Sequence, residues 1–364
     1  MPSAEATGRA TGLLALLRER IRREGPMRVD AYMAACLADP VHGYWNKPHS
    51  IGADGDFITA PEISQVFGEL LGLWAATTWQ GMGQPAPVRL IELGPGRGTL
   101  MRDALRAAEL VTPFRAALSV HLIEKSPALR ELQRAVLARA GAPAPAIIWH
   151  EQLSAVPPGP AIVIGNEFLD ALPIRQLVFG EGGWRERLIE LDSAGALRFG
   201  LGEVVPFRGH APPQPGDVAE LRSDEEAILA ELKRRAAPVS ALLIDYGPAE
   251  PAYGDTLQGV RRHAYVEPLS DPGDVDLTAH VRFATLAAKA RSAGFAVYGP
   301  LTQAEFFARL GIIERAARLM AANPLEASQI ETAVQRLLAP TGMGGHFKVL
   351  AVGSPQLPSP APFA

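Results

Sequence analysis

Glu92, Gly94, Gly96 and Gly98 stand at alternate positions where the apolar run Val88-Arg89-Leu90-Ile91 ends. A helical pattern follows at once, with Leu100, Leu105 and Ala108 on one face. A buried strand, a glycine-rich turn and a helix in that order make a nucleotide-cofactor site. The spacing selects the cofactor. A dinucleotide fold needs G-x-G-x-x-G, and its third glycine would fall at residue 99, which is Thr99. E-x-G-x-G-x-G is instead the form that goes with S-adenosyl-L-methionine (SAM), which has no pyrophosphate to place on a helix N-terminus. Glycines at these positions let the backbone approach the methionine and ribose portions with no Cβ in the way. Ser119-Val120-His121-Leu122-Ile123-Glu124 is a second apolar run ending in an acid. At the C-terminal edge of the next strand, Glu124 can accept both ribose hydroxyls. A plain tight turn would account for the glycines, but not for the strand, helix and second acid around them.

Ligands of an open α/β sheet bind at the C-terminal strand ends, and further polar residues gather there. Asn166, Glu167 and Asp170 follow the fourth strand, and such groups are costly to bury without partners, so they should face cofactor or substrate. Capping of a following helix is the plainer role for Asn166. Asp245 and Tyr246 end the fifth strand and are expected on the substrate side, with a turn cap as the alternative for Asp245. Trp149 and His150 end the third, where the indole could meet the adenine or simply fill the core. Outside the sheet, Gly55–Glu69 leads from an irregular loop into a helix. Thr59 suits the cap, Pro61 the first turn and Glu62 a capping box. Capping leaves Asp56, Phe57 and the Gln65/Glu69 pair unexplained.

Elements that alternate strand and helix must position these residues. Strands are expected at 88–93, 119–124, 146–149, 161–165, 242–246, 295–299 and 347–352, and helices near 99–110, 127–140, 222–236, 279–293 and 303–310. That alternation predicts a doubly wound, mostly parallel α/β sheet. Residues 1–80 read as a helical N-terminal segment, with an aperiodic loop at 40–62 of the kind that is often functional. The core spans 81–353. Within it, 174–208 reads as an antiparallel meander broken by Gly182-Gly183 and Ser193-Ala194-Gly195, and 312–339 as a helical insertion, either lid or dimer surface. Residues 210–217 read as a linker and 354–364 as a disordered tail. No internal repeat is visible.

Composition bounds the function without choosing it. A chain of 364 residues exceeds one ordinary domain, and 48% hydrophobic content suffices for a large core. A net charge of −4 without a basic run disfavours nucleic acid. The single cysteine, Cys36, excludes an intrachain disulfide and a cysteine-cluster metal site, and fits a reducing compartment. No metal is expected, and no stretch is apolar enough to span a membrane. Residues 10–23 could pass for an arginine-bearing transit peptide, but Glu19 and Glu24 argue for a domain helix. The excess of arginine over lysine suggests a GC-rich bacterial genome, hence a cytoplasmic protein, or a matrix protein if the source is eukaryotic.

Gly55–Glu69, Glu92–Gly98, Asn166–Pro173, Ile244–Gly247 and Asp276–His280 occur together and in this order. From about residue 12 to 353 the chain resembles the MidA family, which includes the mitochondrial complex I assembly methyltransferase. The resemblance implies a Rossmann-like seven-strand SAM methyltransferase fold with helical and β insertions. It also implies arginine methylation of a complex I subunit as an assembly step. One departure is Arg282, where the family often carries an acid, so target or activity could differ here. Guanidinium is a poor nucleophile, with delocalised lone pairs and a pKa above about 12. A carboxylate must localise its charge and take the lost proton. Glu167 and Asp170 qualify by position, and Asp56 and Glu62 by the family segment, while His280 is a possible general base. Trp149 and Asn166 join the cofactor side, and Phe57, Asp245 and Tyr246 the substrate side. Three rivals stand: a small-molecule O- or N-methyltransferase, a non-catalytic SAM-binding assembly factor, and a dinucleotide oxidoreductase, which Thr99 disfavours.

Overall fold

The computed structural model describes residues 11–47, 58–138 and 145–363. Its centre is a seven-stranded sheet, labelled in chain order β1 (Val88–Leu93), β2 (Leu118–Ile123), β3 (Ile147–His150), β4 (Ala161–Asn166), β5 (Val239–Tyr246), β6 (Ala296–Thr302) and β7 (Phe347–Gly353). The spatial order is β6-β7-β5-β4-β1-β2-β3. Only β7 runs antiparallel to its neighbours β5 and β6. The sequence-based strands sit within a few residues of these. The inner strands read as unbroken apolar runs because helices cover both faces, as parallel sheets require. Leu90, Val120 and Leu122 face one helical layer, and Ile91, Leu93 and Val163 face the other.

Besides the short helix Thr112–Ala117, the α-helices in chain order are α1 (Thr11–Glu24), α2 (Val29–Ala38), α3 (Ala60–Ile63), α4 (Gln65–Gly81), α5 (Thr99–Ala108), α6 (Pro127–Leu137), α7 (Ser223–Arg234), α8 (Phe283–Ser292), α9 (Gln303–Arg309), α10 (Ile312–Ala322), α11 (Ala327–Leu338) and α12 (Met343–His346). The helix expected from residue 62 breaks at Ser64, whose extended backbone separates α3 from α4 and whose hydroxyl caps α4 through Val66 N at 3.3 Å. Among the described residues, no helix is long and apolar enough to cross a membrane.

The meander appears as Arg175–Gly180, Gly183–Leu191 and Leu197–Val204, and gains two strands that the sequence reading missed. Val218–Leu221 pairs with Arg175–Gly180, directly after the expected linker. Met27–Arg28 pairs with Gly183–Leu191, placing Met27 opposite Ile189. Two residues are too few to show a period of two. A third sheet, Gln258–Arg261, Ala264–Val266 and Asp276–Thr278, was also missed, its strands of three or four residues being too short to show a clear alternation. Leu13, Tyr32 and Met33 from α1 and α2 share one core with Ile189 and Leu277, so the N-terminal segment packs on the insertions. The stretch 354–363, expected to be a disordered tail, lies on the domain. Phe363 packs on Phe306 at 5.6 Å and Tyr298 at 6.5 Å between ring centroids.

Candidate functional site

The C-terminal ends of β1, β2, β4 and β5 meet the start of β7. Leu93 stands opposite both Ile123 and Gly165, Ile244 opposite Asn166, and Tyr246 opposite Phe347. The backbone leaves β1 through Gly94, Gly96 and Gly98, with φ of 62°, 52° and 84°. That left-handed conformation explains glycine here at no steric cost. A Cβ on Gly94 would also sit 2.7 Å from the Phe168 ring. Glu92, buried at the end of β1, has an Oε2 without a hydrogen-bond partner, and burial pushes its carboxyl up to about 8.

Glu167 follows β4 with φ 49°, strained for a residue with a side chain. Its Oε1 accepts from Ala60 N at 2.8 Å and Asn166 Nδ2 at 3.0 Å. Its Oε2 is cut off from solvent and unpartnered, as is Asn166 Oδ1. Burial pushes the Glu167 carboxyl up to about 8. Two cavities meet at this residue and Thr59. The smaller, about 80 Å³, is lined by Glu62, Glu92, Gly94, Gly96 and Asn166. The larger, about 800 Å³, is lined by Asp170, Tyr246 and His280 among others.

Glu62 corrects the helix-start reading. Thr59 occupies the N-cap of α3 without a side-chain hydrogen bond, and no capping box forms. Glu62 instead accepts a hydrogen bond from Thr99 Oγ1 and lies 3.9 Å from the Arg97 guanidinium. The segment 58–69 therefore docks on the glycine turn. Gln65 and Glu69 do pair across one turn, at 3.4 Å, and Glu69 chiefly binds Arg106 at 2.9 Å and Arg315 at 2.8 Å.

Glu124 lies beside the turn as expected, accepting from Ser126 N at 2.8 Å and Gln133 Nε2 at 3.1 Å. Trp149 is held in place, its Nε1 donating to Gln133 Oε1 at 2.9 Å and Arg134 lying 5.0 Å from its ring centroid. Gln133 was missed by sequence reasoning. Its amide also donates to Gly96 O at 2.8 Å, so one fully buried side chain ties the glycine turn, Glu124 and Trp149 together. A signal existed, because Gln133 interrupts the apolar stripe Leu129–Leu137 of α6 at four-residue spacing.

On the substrate side the expectations divide. Asp245 lines neither cavity. It is fully buried and accepts from Leu169 N at 2.9 Å, Asp170 N at 3.1 Å and Tyr246 N at 2.9 Å, the turn-cap role. No helix follows β4, so Asn166 caps none. Tyr246 lies in the large cavity, its hydroxyl accepting from Gln258 Nε2 at 3.3 Å and its ring edge-on to His280 at 5.4 Å. Burial raises the Asp170 carboxyl, against a hydrogen bond from Tyr246, and Asp170 Oδ1 has no partner. Burial lowers His280, favouring its neutral form. Arg282 is buried on Glu220 at 3.0 Å and Gly254 O at 2.8 Å. Asp56 and Phe57 lie outside the described residues.

Unpartnered acceptor oxygens on Glu92 and Asn166 around a glycine cradle fit a ligand that brings an ammonium, hydroxyls and a sulfonium. The model of a family of S-adenosyl-L-methionine-dependent methyltransferases matches residues 70–301. The chain belongs to this methyltransferase family. A relative in Drosophila melanogaster, the mitochondrial protein arginine methyltransferase NDUFAF7 homolog, is 35% identical, over 96% of this chain and 86% of its own. The human protein arginine methyltransferase NDUFAF7 is 34% identical, over 94% and 83%. A crystal structure from Burkholderia thailandensis, solved with S-adenosyl-homocysteine bound, superposes with a TM-score of 0.85 at 28% identity and covers 99% of this chain and 96% of that one. The methyltransferase fold, SAM dependence and membership expected from the sequence are thereby shown, and the oxidoreductase reading falls.

Proposed function

We propose that this methyltransferase transfers the methyl group of SAM to an arginine side chain of a protein, and that the protein is a respiratory complex I subunit undergoing assembly in the bacterial cytoplasm. The observation that carries the reading is Glu167, a carboxyl with an unpartnered oxygen at the seam between the glycine cradle and the large cavity. The names of the relatives, protein arginine methyltransferases, support the acceptor, and the MidA resemblance supports the subunit.

Glu92, Asn166 and the glycine turn would hold SAM, with Glu124 and Gln133 beside them. When bound, SAM supplies an electrophilic methyl on a good leaving group. Positioning of the nucleophile is then the main task of the protein. A planar guanidinium presents five donors, which suits more than one carboxylate. Glu167 Oε2 and Asp170 Oδ1 are the unpartnered acceptors along the large cavity that can take them. Holding charge on two nitrogens frees the lone pair of the third. Glu167 then accepts the released proton as a carboxylate, ionised once the guanidinium is bound, a role suited to a carboxyl whose affinity for a proton burial raises to about 8. His280, kept neutral by burial on the wall of the same cavity, would pass the proton onward. Glu62 positions the glycine turn.

The test is made in the source organism. Complex I is purified from wild-type cells, from a strain lacking this gene and from one carrying Glu167→Gln, and its subunits are mapped by mass spectrometry. A methylated arginine present only in wild type is expected. Identical arginine modification in all three strains would refute the proposal.

A further inference from the structure

The large cavity is acidic at Glu167 and Asp170, yet Arg336 and Lys348 also line it, and among the described residues neither has an acid within ion-pair distance. Arg336 is exposed on α11, which packs against α3 and α12, and it lines this cavity. Among the described residues it has no ion-pair or hydrogen-bond partner, and it acts on Glu167 only through space, lowering that carboxyl against the burial that raises it. Lys348 is the second residue of β7, just after α12, and lines the same cavity. Its ammonium donates only to the carbonyls of Gly345 at 2.5 Å and His346 at 3.1 Å. Other arginines around the site are engaged, Arg282 by Glu220 at 3.0 Å and Arg315 by Glu69 at 2.8 Å. A further lining acid, Asp276, already has an interaction partner. Burial lowers the Lys348 ammonium, and Glu305 raises it without reversing that shift.

Neither cation serves a guanidinium, which both repel. We infer that Arg336 and Lys348 recognise a carboxylate on the substrate chain beside the target arginine, so that the preferred acceptor is an arginine within an acidic stretch. The inference rests on the arginine reading above and names the substrate class for that site. The acids of the cavity take the guanidinium and the cations take the flank, which fixes the direction in which the peptide lies. Like-charge flanks are rejected by the same two residues, and charge complementarity of this kind gives specificity more than raw affinity.

The experiment uses three peptides that differ only in the residues flanking a single arginine, which are aspartate, alanine or lysine. Full-length wild type and the double variant Arg336→Ala/Lys348→Ala are assayed with methyl-labelled SAM. Wild type should prefer the aspartate peptide over the lysine peptide by about tenfold in kcat/KM, mostly through KM, and the preference should shrink as salt is raised. In the double variant it should fall to about twofold or less, with affinity for S-adenosyl-homocysteine unchanged as the sign of an intact fold. Equal use of the three peptides by wild type, or an undiminished preference in the variant, would overturn the inference. Labelling of none of them would contradict the arginine reading itself and take the inference with it.

Discussion

Two buried carboxyls with the same raised pKa do different work. Glu167 touches both cavities, and Glu92 only the smaller one. Glu167→Gln should leave SAM binding in place and lower kcat by about 100-fold or more, the usual worth of a general base. In wild type, kcat/KM should rise with pH to a midpoint near 8, because the free carboxyl must lose its proton to act. A bound guanidinium stabilises the anion, so the corresponding limb in kcat should lie at lower pH. A pH profile that keeps its limb in the glutamine variant would remove Glu167 from the base role. For Glu92 the sign works on stability. Its folded pKa, about 8, exceeds the unfolded value of 4.5, so the folded state binds the extra proton between them. Stability is therefore lost as pH rises through that window. Glu92→Gln should flatten the fall and raise Tm of the ligand-free protein at pH 8, while weakening SAM. A melting series from pH 5 to 8 with and without S-adenosyl-homocysteine separates the two effects. Gly96→Val, at φ 52°, should abolish SAM binding in a protein that still folds.

At the scale of elements, two side chains join parts that are distant in sequence. Gln133 of α6 ties the glycine turn to β2 and β3, so Gln133→Leu should weaken SAM by about tenfold, the equivalent of about 1.4 kcal/mol, with the fold intact. Glu69, 4% exposed, joins α4 to Arg106 of α5 and Arg315 of α10. Glu69→Ala should cost about 1–3 kcal/mol in denaturant unfolding, and an unchanged midpoint would show that the helical insertion is held by its apolar face alone. The sheet was legible because its seven strands, four to eight residues long, are mostly the unbroken apolar runs that burial on both faces writes into a sequence. Met27–Arg28 and the sheet Gln258–Thr278 were not, since their strands are set by what packs against them. At the site, the acids at the strand ends were legible from position. Their division of labour was not. Asp245 and Glu167 look alike in sequence, yet three backbone amides consume one and leave an oxygen of the other free.

Across the whole molecule, segments that precede the sheet and insertions within it converge on one edge. Tyr44 of the N-terminal segment, Gln258 and Thr278 of the small sheet and Arg336 of the helical insertion all line the large cavity. An ordinary methyltransferase sheet thereby acquires a cavity of about 800 Å³ beside its cofactor cradle, wide enough for a side chain presented by a folded or extended protein segment. The most direct measurement is a single-turnover reaction of purified enzyme with methyl-labelled SAM and isolated complex I subunits, followed by mass spectrometric location of the label. The account predicts label on a guanidinium nitrogen of arginine, carried by wild type and lost in Glu167→Gln. Label on another side chain or on a small molecule, or label undiminished in the variant, would contradict it.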